Sequence, residues 1–153
     1  MQVYLEYFSL PTEDMEFSFF NSDPKARMTC YTTFYPYGLF KGRVPPLSFS
    51  PVTILYGGNG SGKTTILNAI AQKLKLSRTA PFNHSAFFDC YVEECTASFT
   101  EDESGEPAAL PGGSRFIASD DVFQTILKRR KENDGIDRRR DAQIRNYWDK
   151  QDG

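Results

Sequence analysis

Eight consecutive residues, Gly57-Gly58-Asn59-Gly60-Ser61-Gly62-Lys63-Thr64, constrain this chain more than anything else in it. They satisfy the phosphate-loop pattern G-x-x-x-x-G-K-[ST] at every position. Such a loop is expected between a strand that delivers the chain and a helix that carries it away. Its backbone N–H groups then converge on an anion, and the helix N-terminus adds a favourable dipole. Pro51-Val52-Thr53-Ile54-Leu55-Tyr56 has the look of a short, buried parallel strand. The stretch 63–76 predicts a helix with Ile66, Leu67, Ile70, Ala71 and Leu74 on one stripe. An α/β fold follows as the expectation. Glycines at 57, 58, 60 and 62 allow the backbone to curl without a Cβ in the way, and Asn59, Ser61 and Thr65 complete the cradle. Lys63 is placed to reach the β- and γ-phosphates, and the Thr64 hydroxyl to ligate Mg²⁺.

The rest of the chain is expected to supply one globular domain's worth of material. Its 153 residues are 39% hydrophobic and 14% aromatic, enough large side chains to offset much of the entropy of ordering. The N-terminal stretch carries an acid and no basic or apolar leader, and the apolar runs are far shorter than a bilayer span. A cytoplasmic protein is the expectation. The formal net charge of -2 argues against overall attraction to nucleic acid, although nine of the 18 bases fall within 128–153 beside six acids. Cys30, Cys90 and Cys95 form no C-x-x-C pair, and the single His84 has no ligand partner at metal spacing, so the cysteines are expected to be reduced thiols packed as small hydrophobes.

Local patterns predict strands at 3–8, 15–20 and 28–35, with Asn21-Ser22-Asp23-Pro24 as a hairpin-like turn between the last two. Further strand pieces are expected at 87–92, 96–99 and 115–118, with an acidic Gly/Pro-rich loop over 101–114. Ser119 looks like a helix N-cap followed by Asp120 and Asp121, and Asn133-Asp134-Gly135 like its stop, with another charged helix over 136–150.

The loop and its continuation, Gly-x-Asn-Gly-Ser-Gly-Lys-Thr-Thr followed by Ile66-Leu67-Asn68-Ala69-Ile70-Ala71, resemble the Walker A segment of the ABC superclass of P-loop ATPases. The likeness is to the SMC/RecF-type branch and the bacterial "AAA family" ATPases rather than to transporter subunits, tight over 51–72 and loose before it. The resemblance implies an ABC-type P-loop NTPase fold with an N-terminal antiparallel β layer and a helical C-terminal segment. On this reading 1–118 is an ATP-binding core and 119–153 the start of a helical subdomain. ATP and Mg²⁺ are the implied cofactors, hydrolysis the implied activity of the intact protein, and Lys63 the implied catalytic residue. A homodimer through the ATP site, and a DNA or protein partner, are also implied.

Three family features have no match: a Leu-Ser-Gly-Gly type signature, an apolar strand ending in Asp-Glu, and a switch histidine. Pro111-Gly112-Gly113-Ser114 is a turn, and Phe87-Phe88-Asp89 is too short an apolar run. The chain is accordingly expected to be the N-terminal portion of a longer ATPase. Gln124 is the nominal counterpart of the family's Q-loop glutamine, with Asp120 as an alternative and plain helix capping as a third. Tyr35, Tyr37, Phe40, Lys41 and Arg43 stand upstream of the loop as candidates to stack on adenine. Two other readings remain open: a nucleotide-binding module without turnover, and a small P-loop kinase using the Arg-rich 128–140 stretch as a lid.

Overall fold

In a computed structural model, residues 2–78, 82, 84–101 and 103–149 are described. By their internal contacts the residues fall into two compact units, Met1–Ser77 with Pro81–Phe116, and Arg78–Ala80 with Ile117–Gly153.

The first unit is built around β1 (Leu5–Ser9), which is the middle strand of a three-stranded antiparallel sheet. One edge takes β2 (Leu47–Ser48), in register Phe8 to Leu47, and the other takes β3 (Thr96–Phe99), in register Phe8 to Ala97. An irregularity between Leu5 and Tyr7 breaks the simple alternation. Leu5 and Phe8 consequently both reach the core while Tyr7 is exposed. With its helices, this sheet makes an α/β unit.

The aromatic run at 15–20, expected as a strand, lies within helix α1 (Glu13–Ser22). Thr12 caps it by accepting the Met15 N–H at 3.3 Å, and Glu13, Asp14 and Glu16 fill a first turn that favours acids. Phe and Tyr are frequent in strands because they suit a half-buried surface, and a helix face offers one equally well. Glu16 and Phe19, three residues apart, form the buried face of α1. No hairpin follows: Asp23 caps the short α2 (Pro24–Arg27) by accepting the Lys25 N–H at 2.7 Å, and the strand expected at 28–35 is not formed.

The run expected as a strand at 87–92 is likewise mostly helical, in α4 (Phe88–Glu94). Phe87, Phe88, Tyr91 and Val92 are all buried, a spacing that suits a helix and that a six-residue run interrupted by Asp89 does not reveal. Helix α3 (Lys63–Lys73) forms as expected and packs against α4, with Thr65, Ile66, Ala69 and Ile70 inward, while Leu67 is exposed. Lys73 caps the end of α4, donating to the carbonyls of Val92 at 3.2 Å and Glu93 at 3.0 Å.

The segment 51–56 is not a buried strand. Val52, Ile54 and Tyr56 are 75%, 83% and 100% exposed, and only Leu55 packs on the core. Both edges of β1 are already taken by β2 and β3, and Thr53 Oγ1 accepts the Ser50 N–H at 2.9 Å, a local bond that competes with a ladder. The expected strand at 115–118 is reduced to a single bridge between Ser77 and Arg115.

The second unit contains α5 (Ser119–Asp149), one helix of 31 residues. Asp121 Oδ2 accepts the Ala118 N–H at 2.8 Å, half of a capping box at its start. Asn133-Asp134-Gly135 does not stop it. A single Gly within an otherwise good helix costs only about 1 kcal/mol, too little to break a continuous run. Among the described residues no helix is long and apolar enough to cross a membrane.

Candidate functional site

The loop at 57–62 leads directly into α3, as its sequence requires. Gly60 and Gly62 adopt φ of 78° and 89°, conformations that a side chain would oppose. Gly62 is the N-cap of α3, and no side chain caps that helix end. Its first-turn N–H groups are therefore left without a capping side chain, as an anion site needs.

Beneath the loop lies Phe40. A Cβ on Gly62 would stand 2.5 Å from Phe40 Cε1 and Cζ, so the glycine also makes room for a buried ring. Phe40 belongs to the core with Phe8, Ile66 and Ile70, which fastens the loop to the interior. A second fastening runs through Tyr35, whose hydroxyl lies 2.7 Å from Thr65 Oγ1, while its carbonyl accepts a hydrogen bond from Ser85 Oγ.

Above the loop is a cleft of about 400 Å³ lined by Tyr35, Leu39 and residues 59–65. Seven of the nine expected cradle residues, Asn59, Gly60, Ser61, Gly62, Lys63, Thr64 and Thr65, face it. Gly57 and Gly58 do not, and they engage Lys63 instead. Lys63 Nζ donates to the carbonyl of Gly57 at 2.7 Å, to that of Gly58 at 2.7 Å, and to Ser61 Oγ at 3.2 Å. The ammonium thus holds the loop closed on itself, using neutral acceptors that phosphate oxygens can replace with stronger charge-assisted bonds. Thr64 is exposed and lines the cleft. Among the described residues that line the cleft there is no carboxylate.

Of the five base-stacking candidates, only Tyr35 reaches the cleft. Tyr37 and Phe40 are core residues; the Tyr37 ring stacks on Phe19 with centroids 4.0 Å apart. Lys41 and Arg43 are exposed and do not line it. Leu39 was missed in the sequence, and its only signal is proximity to Tyr35. Gln124 lies exposed in α5 of the second unit, and Asp120 also belongs to that helix.

Behind the floor of the loop, Glu16 of α1 accepts the Gly38 N–H at 3.0 Å and so pins the turn that carries Leu39 and Phe40. Burial raises its carboxyl above 4.5, partly countered by the Gly38 bond. Burial also raises Glu94, and it moves the Tyr37 and Tyr91 hydroxyls upward. Tyr37 and Glu94 interact without meeting hydrogen-bond geometry, and Glu16 Oε1 and the Tyr91 hydroxyl are buried and unpartnered. Among the described residues no group of His, Cys, Asp and Glu assembles a metal site.

A family model described as the P-loop containing region of AAA domain matches residues 33–88, from just before Tyr35 to the start of α4. No curated protein and no solved structure matches the chain. Residues 33–88 are a P-loop NTPase-like region.

Proposed function

We propose that this P-loop region binds MgATP in the cleft above residues 57–65, as the ATP-binding part of an ABC-type, SMC/RecF-like ATPase. The observation that carries the reading is the uncapped N-terminus of α3, reached through a glycine loop whose lysine is held only by neutral acceptors. On binding, Lys63 exchanges the Gly57 and Gly58 carbonyls for β- and γ-phosphate oxygens, the loop amides take the remaining charge, and Thr64 supplies a metal ligand. Tyr35 and Leu39, which line the same cleft, support this reading as walls for the nucleotide's organic part.

In this reading 1–118 is the ATP-binding core and 119–153 begins a helical subdomain. ATP hydrolysis by the intact protein, dimerisation through the ATP site, a DNA or protein partner, and a cytoplasmic setting come with the ABC-type resemblance. The test is Lys63→Ala, with ATP affinity measured by calorimetry. Loss of binding is expected, and an affinity equal to that of the parent protein overturns the proposal.

One observation favours a second reading for the chain by itself, a nucleotide-binding module without turnover. Among the described residues lining the cleft there is no carboxylate to polarise an attacking water. Phosphate release by the 153-residue chain is expected to stay at background. Steady release that vanishes in Lys63→Ala would show that the catalytic group is present after all.

A further inference from the structure

The three cysteines, expected alike to be packed thiols, occupy three different environments. Cys95 is fully buried; its Sγ donates to the Tyr91 carbonyl at 3.3 Å, and burial pushes its thiol up to about 12. Cys30 is exposed, which corrects the expectation for that residue. Cys90 is 7% exposed, and the Nζ of Lys25 donates directly to its Sγ at 3.1 Å. Sixty-five positions apart in sequence, these two side chains are brought together by the approach of α2 to α4. Lys25 is itself exposed, and beside it opens a cleft of about 270 Å³ lined by Pro24, Met28, Thr29, Tyr31 and Phe87. Lys25 itself lines that cleft, so a small polar oxidant entering it meets the Lys25 side chain, whose nitrogen lies 3.1 Å from the Cys90 sulfur.

We propose that Lys25 and Cys90 are an oxidative modification site, at which hydrogen peroxide joins the amine to the thiol through one bridging oxygen. The Cys90 sulfur attacks a first peroxide; an S–O bond forms, the O–O bond breaks, and the sulfenic acid is left with one water. The Lys25 amine, after releasing a proton from its ammonium, attacks a second peroxide to give a hydroxylamine and a second water. Condensation of the two, losing a third water, leaves nitrogen and sulfur joined through oxygen. In total one thiol, one ammonium and two peroxides give the bridge, three waters and one proton, and the pair surrenders four electrons to the two peroxides. A disulfide would require a second cysteine at this place. The bridge needs only the nitrogen already in contact, and one inserted oxygen spans a separation close to the existing one. The product ties α2 to α4 covalently.

The experiment uses the full chain carrying Cys30→Ser, treated with a graded series of hydrogen peroxide concentrations and digested without reductant. The expected result is a pair of peptides, containing Lys25 and Cys90, whose joint mass is their sum plus one oxygen and less two hydrogens. Trypsin cleavage after Lys25 is lost in proportion, and dithiothreitol restores both. Lys25→Arg, at an exposed position that leaves the core untouched, is expected to yield no linked pair, and Cys90→Ser the same. Recovery of Cys90 unmodified, or as sulfinic or sulfonic acid, with cleavage after Lys25 undiminished, overturns the proposal.

Discussion

Replacing Gly62 by Ala tests how the phosphate loop is held to the core. At φ 89° an L-residue stands in the left-handed region, which costs roughly 1–2 kcal/mol. The added Cβ would also lie 2.5 Å from two ring carbons of Phe40 and 3.4 Å from Leu39 Cδ2. The ring has little freedom to retreat, because Phe40 is buried in the main core cluster. Overpacking of this kind costs about 1–3 kcal/mol. The two contributions together predict a loss of about 2–5 kcal/mol, a large share of the ~5–15 kcal/mol that holds a typical domain folded. Urea unfolding followed by tryptophan-independent circular dichroism measures it. A companion variant, Phe40→Leu, removes the ring atoms that meet the new methyl. In that background Gly62→Ala should cost less by about 1–3 kcal/mol, the steric share alone. Should Gly62→Ala unfold within about 1 kcal/mol of the parent, or cost the same with and without the ring, the contact does not anchor the loop as described.

The remaining expectations concern the supports of the site and the long helix. Glu16 is raised above 4.5 by burial, so the folded state binds more protons than the unfolded chain between 4.5 and the folded value. Its contribution to stability is complete below pH 4.5 and is lost as pH rises through the folded value. Glu16→Gln keeps an acceptor for the Gly38 N–H and should flatten that decline in urea midpoints across pH, leaving the part due to Glu94; parallel profiles for variant and parent would contradict the assignment. Tyr35→Phe deletes the 2.7 Å contact with the buried Thr65 hydroxyl and should cost roughly 1 kcal/mol by thermal melting, while a neutral change would mean that the contact is not a support. Gly135→Ala places a methyl where nothing lies within 4 Å, and should stabilise α5 by about 0.5–1 kcal/mol, seen as stronger helical ellipticity on heating. An unchanged or weaker signal would argue against a continuous helix through 135.

The candidate site was legible in the sequence to the extent that it is made of contiguous residues. Residues 59–65 line one cleft because a loop and the first turn of its helix are local in chain and in space. The walls were less legible. Tyr35 was one of five aromatic or basic candidates, and nothing local distinguished it from Tyr37, which stacks on Phe19, or from Phe40, which lies under Gly62. Helices α1 and α4 were missed for a related reason. Short aromatic runs carry no period long enough to separate a helix from a strand; for α1 the cap at Thr12 carries that information instead, and α4 has no side-chain cap to signal it.

By itself the sequence determined the P-loop motif at 57–64, the helix that leaves it, the strand at 96–99 and the place of Lys63 at the end of the glycine loop. Those depend on spacing within a few residues, where backbone conformation and side-chain type act directly. Only the tertiary structure decided that β1 would take β2 and β3 as neighbours and leave Val52, Ile54 and Tyr56 exposed. It alone brought Glu16 to Gly38, Tyr35 to Thr65 and Lys25 to Cys90, across 22, 30 and 65 positions. Contacts at such separations form because the burial of Phe8, Phe19, Phe88 and Tyr91 in one core folds distant segments together, and no local pattern records which polar groups that collapse will leave facing each other.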